Sequence, residues 1–463
     1  MRHISVLGTS SDCGKSSISL AICAILADEG FRVSPFKAQN MSNNACVTDD
    51  GGEIGVAQYT QAVMLGIPTT YRQNPILLKP QKDGESQVIV NGKSIGAMSA
   101  KEYFLKADEM KKEAEAAFCS LSEGYDVLVC EGAGSPVELN IMQKDISNLY
   151  IADRFDTKIL LVADIERGGV FASIYGTYKL LPQKLKQNVI GVVINKFRGD
   201  LSLFSDGVKI IKERFGLDVL GVVPYAPQNI GFEDSMSIKN YQNSADGGLK
   251  IAVVKLPRIS NFTDFEPLFA DTNLSVWFTG SVNGLKSADI VVLPGSKATI
   301  EDLRWLKKNG IFDFLKAKNV YTVGICGGYQ MMFKRLVDEG GVENLEPCVE
   351  EGLGFIDDEI VFLKDKTVTK GSYEIMGESV AGYEIHCGIS KKFPLYASGE
   401  GFFGTHLHAV FDDDGFRERF FAPFTDRYDG YSFLEYKRGM LKSFADTVKQ
   451  SIDYKKIIEA LSC

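Results

Sequence analysis

The sequence predicts an α/β protein in two parts, the first of them a parallel sheet with helices on both faces. Three observations carry that expectation. Short apolar and β-branched runs alternate with longer segments whose apolar residues recur at helical spacing. A polar break, SIKNYQNSADGGLK at 237–250, interrupts the alternation and reads as a linker, after which a second series of strands begins. In each part a glycine-rich turn directly follows a strand, one suited to phosphate and one built around a cysteine.

Taken in order, the strand candidates of the first part are HISVLG, RVSPFKA, DVLVCEG, KILLVAD, VIGVVIN and VLGVVPY. SSISLAICAILADEG is the clearest of the intervening helices. The second part offers KIAVVKLP, LSVWFTG, DIVVLPGS, NVYTVGIC and GEGFFGTHLHAVF, and the chain closes from about Tyr428 with helical spacing. At 463 residues the chain exceeds one ordinary core. Its 24% charged residues and net charge of −9 argue against a general nucleic-acid or acidic-membrane surface. No apolar run reaches membrane-spanning length, and MRHISVLGTSS lacks the apolar region and cleavage site of a signal peptide. The nine cysteines include no CxxC pair, so neither a disulfide framework nor a zinc site is expected. These features together point to the cytoplasm.

The phosphate turn is GTSSDCGKSS, from Gly8 through Thr9 to Ser17. Gly8, Gly14, Lys15 and Ser16 match a P-loop carrying one extra residue between its glycines. Glycines admit phosphate oxygens to backbone N–H groups, the lysine neutralises the β- and γ-phosphates, and the serine ligates Mg²⁺. Glu131, in DVLVCEGAGSP, and Asp164, in LLVADIERGG, stand at the carboxyl ends of strands, where open α/β sheets place ligands. Both are candidate Mg²⁺ ligands. Asn195 and Lys196 stand at another strand end, where a loop recognising the nucleotide base belongs. Between these, FKAQNMSNNACVTDD gathers Lys37, Gln39, Asn40, Ser42, Asn43 and Asn44, an amide-rich loop suited to a large substrate bearing carboxylates and amides. Lys79 and Gln87 extend the theme.

The thiol turn is VGICGGYQMMF at 323–333. Cys326 falls where a strand gives way to a helix, and Gly324, Gly327 and Gly328 leave room around so sharp an elbow. A helix N-terminus there favours the thiolate, and the N–H of Gly327 can face an oxyanion. Gly295 and Ser296, in LPGSK, supply further N–H donors. A cysteine nucleophile needs a base. His406 and His408, in GTHLHAVF, share one face of an extended strand, so alternation does not choose between them. Glu384 and His386, in GYEIHCG, are also two apart, and one of them can orient the base or hold substrate.

Together these motifs resemble the cobyric acid synthase family. FKAQNMS, GGEIGVAQ, NPILLKP, SQVIVNG, EGAGSPVELN, ADIERGGVFAS, NKFRGD, LPGSKAT, GICGGYQM, GYEIHCG and GTHLH follow one another in the family's order over nearly the whole chain. The resemblance implies an ATP-binding amidoligase domain similar to dethiobiotin synthetase at 1–240, a class I glutamine amidotransferase domain at 249–445, and a terminal helix at 446–463. It implies Cys326 as nucleophile and His408 as its base, with ATP, Mg²⁺ and glutamine consumed or bound and a corrinoid amidated at several carboxylates. His406 then stands where the family commonly has Tyr, and Ala409 where it commonly has Gly. The His-Pro-Glu ending of the wider amidotransferase class is absent, since Ala409 and Val410 follow His408; Glu384 is the acid considered for orienting the base. Competing expectations are the related cobyrinic acid a,c-diamide synthase, a ligase amidating a cell-wall precursor, and a P-loop regulatory ATPase with a degenerate amidotransferase domain.

Overall fold

The computed structural model describes residues 2–81, 84–226, 242–243 (backbone), 248–317, 320–343, 346–425 and 428–462. They form two compact units. One holds the described residues of Met1–Ser42, Thr48–Gly231 and Lys437–Cys463, the other those of Asn43–Val47 and Phe232–Tyr436. Most of the linker read at 237–250 lies outside the described residues.

All six runs read as strands in the first part are strands. They form one sheet in the order Val219–Pro224, Val189–Phe197, Lys158–Asp164, Ile4–Gly8, Val127–Glu131, Val33–Phe36. Every neighbouring pair is parallel. Alternation along the central strands shows why the runs are apolar throughout. Ile4, Val6, Leu160 and Val162 enter one core with Ile18, Ala21, Ile22 and Ile25 of the Lys15–Asp28 helix. Leu7, Ile159, Leu161 and Ala163 enter the opposite core with Val170 and Ile174. Both faces are therefore covered, as parallel strands require. A third cluster packs Phe36, Leu128 and Cys130 against the Ala107–Gly124 helix.

The terminal helical segment belongs to this same unit. Phe444, Val448, Ile452, Ile457 and Leu461 complete the core containing Ile4 and Val6, and Arg2 N–H donates to the Leu461 carbonyl at 2.9 Å. The unit thus takes in Lys437–Cys463, whereas the division read from sequence set apart only 446–463.

The second unit has a seven-stranded sheet ordered Gln242–Asn243, Leu274–Thr279, Leu249–Val254, Ile290–Leu293, Tyr321–Ile325, Phe402–Thr405, Tyr396–Gly399. Its five central strands are parallel and its edges antiparallel. A four-stranded sheet adjoins it in sequence and contains a long hairpin, Ile356–Ile375 with Glu378–Ile389. The strand expected through GEGFFGTHLHAVF stops at Thr405. The helix expected after Cys326 is one turn, Gly327–Gln330, too short for a full macrodipole. Among the described residues no helix is long and apolar enough to cross a membrane.

Candidate active sites

In the first unit the chain leaves the Ile4–Gly8 strand and re-enters a helix at Lys15. Gly14 turns the corner at φ +91°, a left-handed conformation that glycine adopts without steric penalty. A Cβ there would stand 2.1 Å from Asn195 Nδ2, and one on Gly8 would stand 2.8 Å from Lys15 Nζ. The turn is tied down from outside. Asn195 Nδ2 donates to the Cys13 carbonyl at 3.0 Å, Thr9 N–H donates to the Val162 carbonyl at 2.9 Å, and Lys196 Nζ donates to the Asp12 carbonyl. Asn195 and Lys196 thus hold the phosphate turn itself. Lys15 is buried, its Nζ bonded to the Ser10 carbonyl at 3.0 Å.

Glu131 is the hub of this site. Its Oε1 accepts from Ser16 Oγ at 2.8 Å and Lys37 Nζ at 2.7 Å, and its Oε2 from Gln61 Nε2 at 3.2 Å. Gln58 reaches the same carboxylate and also accepts from Asn40 Nδ2 at 3.3 Å. The Ser16 hydroxyl and Glu131 carboxylate are hard oxygen donors and suit Mg²⁺. Asp164 is engaged elsewhere, accepting from Lys196 Nζ at 3.0 Å and Glu166 N–H at 2.7 Å. Ser17 is half-buried one residue along the helix. Of the amide-rich loop, Lys37 and Asn40 join the Glu131 network. Gln39 accepts from Tyr103 OH at 2.5 Å, and Ser42 N–H donates to the Leu78 carbonyl at 3.0 Å. Asn43 lies in the second unit.

The second site is a buried constellation. Cys326 ends its strand at φ 49°, ψ −107°, a strained elbow, with its N–H held by the Thr405 carbonyl at 2.8 Å. His408 faces the Cys326 sulfur, and its Nδ1 pairs with Asp264 Oδ2 at 2.7 Å. That pairing leaves Nε2 for the thiol. Burial opposes a charge on His408, but the Asp264 carboxylate and the Cys326 sulfur outweigh it and raise its pKa to about 10. Gly295 and Gly327 line the same space. A Cβ on Gly295 would lie 3.5 Å from His408 Cε1, and one on Gly327 would lie 2.8 Å from Ser296 N. The N–H groups expected to meet an oxyanion are therefore gathered at one place.

Two expectations are corrected here. His406 and His408 do not share a face, because the strand ends at Thr405 and the chain bends at His406, whose N–H goes to the Leu395 carbonyl while that of His408 goes to the Tyr383 carbonyl. His406 goes instead to the Pro394 carbonyl at 2.8 Å and to Gln330 at 3.2 Å. Burial first, then the neighbouring His386, holds its pKa well below the ordinary value, so it stays neutral. Glu384 does not orient the base either; it pairs with His386 Nε2 at 3.1 Å. Asp264 has that place, 144 residues from His408 in sequence. Its only mark in the sequence is the run SNFTD at 260–264, which nothing local distinguishes from a loop. Glu384, His386 and His406 also crowd together as potential metal ligands. However, the two imidazoles stack at 3.8 Å with planes 14° apart, and one ion cannot lie in two nearly parallel ring planes.

Two expected results follow from this geometry. Asp264→Asn removes the charge that raises the His408 pKa. The alkaline limb of glutamine hydrolysis, set by loss of the imidazolium, then moves to lower pH, and kcat falls on the order of 10²-fold, the lower end for a lost acid–base partner. An unmoved limb in a pH–rate profile refutes the assignment. Ala409→Gly relieves left-handed strain worth about 1 kcal/mol, partly offset by a looser unfolded chain. The unfolding midpoint of the second unit rises modestly by calorimetry; a fall would mean that the Ala409 methyl group is needed.

The comparisons with known proteins agree with this division. Residues 4–233 match the family model described as CobQ/CobB/MinD/ParA nucleotide binding domain, and residues 250–416 match the CobB/CobQ-like glutamine amidotransferase domain. The chain is similar to the cobyric acid synthase of Acinetobacter baylyi, 50% identical over 462 residues and covering 100% of this chain and 99% of the relative. It is 38% identical to that of Yersinia enterocolitica, covering 99% of this chain and 98% of the relative. It is 39% identical to that of Clostridium botulinum, covering 99% of each.

Proposed function

The chain belongs to the cobyric acid synthase family, and from that premise we propose that it is a glutamine-hydrolysing carbon–nitrogen ligase. Its substrate in this reading is adenosylcobyrinic acid a,c-diamide, amidated at the b, d, e and g side chains to give adenosylcobyric acid. The observation that carries the reading is the complete Cys326–His408–Asp264 arrangement. A regulatory ATPase with a decayed second unit has no use for a buried thiol facing a charged imidazole.

The chemistry divides between the units. In the second, His408 takes the Cys326 proton and is held as imidazolium by Asp264. The thiolate attacks the amide carbon of glutamine, and the N–H groups of Gly327 and Ser296, with Gly295 beside them, meet the oxyanion. His408 returns its proton to the leaving ammonia. Hydrolysis of the thioester then gives glutamate. In the first, the backbone of the phosphate turn and Lys15 hold ATP in place, while Ser16 and Glu131 would hold Mg²⁺. The ion supplies charge neutralisation on the phosphates. Transfer of the γ-phosphoryl group from ATP to a substrate carboxylate gives an acyl phosphate and ADP, and ammonia attacks the acyl carbon and displaces phosphate to leave an amide. Lys37 and Asn40 receive that carboxylate in this reading, which their bonds into the Glu131 network support.

The test is mass spectrometry of the corrinoid after incubation with enzyme, ATP and glutamine. Four amides added to the a,c-diamide support the reading. Amidation of cobyrinic acid at a and c alone would assign the chain to the earlier step.

A further inference from the structure

The five residues Asn43–Val47 belong to the second unit, while the chain on either side of them belongs to the first. They come from the middle of the amide-rich loop. They are not surface decoration, since Asn44, Ala45, Cys46 and Val47 are all buried. Their bonds lead to both supports of His408. Asn261 clasps Ala45 at two points, Oδ1 accepting from its N–H at 3.1 Å and Nδ2 donating to its carbonyl at 2.9 Å. A side-chain amide here does what a neighbouring strand would do. Asn261 sits at φ 50° as the cap of the Phe262–Phe265 turn, and its own carbonyl accepts from Asp264 N–H at 3.0 Å. Asp264 in turn holds His408 Nδ1 at 2.7 Å and Ala409 N–H at 2.9 Å.

The other support is Tyr383. Its hydroxyl meets Cys46 Sγ and Asn261 Nδ2, each at 3.4 Å. Its ring stacks on His408 at 5.2 Å, and the two backbones exchange N–H···O bonds of 2.8 and 3.4 Å. One short segment therefore touches the residue that caps the turn bearing Asp264 and the residue that backs the imidazole. The side-chain oxygen of Asn43, where the segment begins, is buried without a hydrogen-bond partner among the described residues.

We propose that Asn43–Val47 is a positioning segment of the thiol site: through Asn261 and Tyr383 it sets Asp264 and His408, so that the state of the amide-rich loop governs glutamine hydrolysis. This rests on the proposed amidoligase reading, in which residues 37–42 face the corrinoid. Filling the loop steadies the segment in this bonded position, the segment fixes the Asp264–His408 pair, and ammonia is released when an acceptor is present. Asn261 and Tyr383 are positioning residues, since neither touches glutamine's reacting atoms in this scheme.

The test measures glutamate release by the full chain with and without ATP and corrinoid. In the wild type kcat is higher with ATP and corrinoid by at least about 5-fold, taking the lower end of the coupling usual between binding sites as the scale, at nearly constant KM for glutamine. Asn261→Ala and Tyr383→Phe bring that ratio towards one. Tyr383→Phe keeps the stacked ring and loses only the hydroxyl, so its effect separates coupling from packing. Hydrogen exchange on the wild type needs no variant: corrinoid and ATP protect residues 43–47 and 261–264 together. A wild-type ratio of one, folded variants with the wild-type ratio, or protection confined to residues 37–42 each overturn the proposal. Amidation driven by ammonium ions keeps the two ideas apart. If no amide forms from ammonium, the amidoligase reading fails; if amides form and the ratio is unmoved, this inference alone fails.

Discussion

Replacing Cys326 with serine is expected to abolish glutamine hydrolysis, lowering kcat by on the order of 10⁴-fold or more, while amidation driven by ammonium ions continues. The reason is the state of the pair. His408 is held as an imidazolium by Asp264 at 2.7 Å, which suits a thiolate partner and leaves no neutral imidazole to deprotonate a hydroxyl of much higher pKa. Serine is close to cysteine in volume, so the strained elbow at φ 49° and its bond to Thr405 are kept. Glutamate release and ammonium-driven amide formation are assayed on one preparation. Loss of both from a folded variant would refute the separation of the two activities, and retained glutamine hydrolysis would remove Cys326 as nucleophile.

Lys15→Ala has the complementary effect. Amidation falls by on the order of 10³-fold or more with either nitrogen donor, as expected when a positioned cation is lost from phosphoryl transfer. Lys15 is buried against the turn, its Nζ 3.0 Å from the Ser10 carbonyl. Glutamine hydrolysis measured without acceptor stays near its wild-type level, because the thiol site draws no residue from the phosphate turn. Ammonium-driven amidation at the wild-type rate would refute the role of Lys15.

What was legible in the sequence was local. Gly14, Lys15 and Ser16 announce the phosphate turn within ten residues, and Cys326 with its glycines announces the elbow. Parallel strands are legible because burial on both faces leaves unbroken apolar runs such as KILLVAD. What failed depended on where the chain goes after an element ends. The pairing of His406 with His408 assumed a strand that stops at Thr405, and the bend at His406 sends the two rings to different partners. Asp264 is brought to His408 across 144 residues of sequence by the order of strands in the sheet, and no periodicity encodes that. The passage of 43–47 into the second unit is equally silent, for a buried ACV reads as any short apolar run.

The docking of Lys437–Cys463 on the first sheet bears on how this chain is made. Ile4 and Val6 share a core with Phe444, Val448 and Leu461. On the ribosome, the strands of the first unit emerge well before that covering exists. Some two hundred residues separate Gly231 from Lys437, which at typical elongation rates of 5–20 residues per second is a delay of about 10–40 s. Through that interval the part of this face that the terminal helices cover, beside the Lys15–Asp28 helix, is open to water while the second unit is still being translated. The nascent protein is therefore most open to aggregation and to chaperone capture late in its synthesis, and its nucleotide-binding half acquires its final stability only after the amidotransferase half has left the exit tunnel.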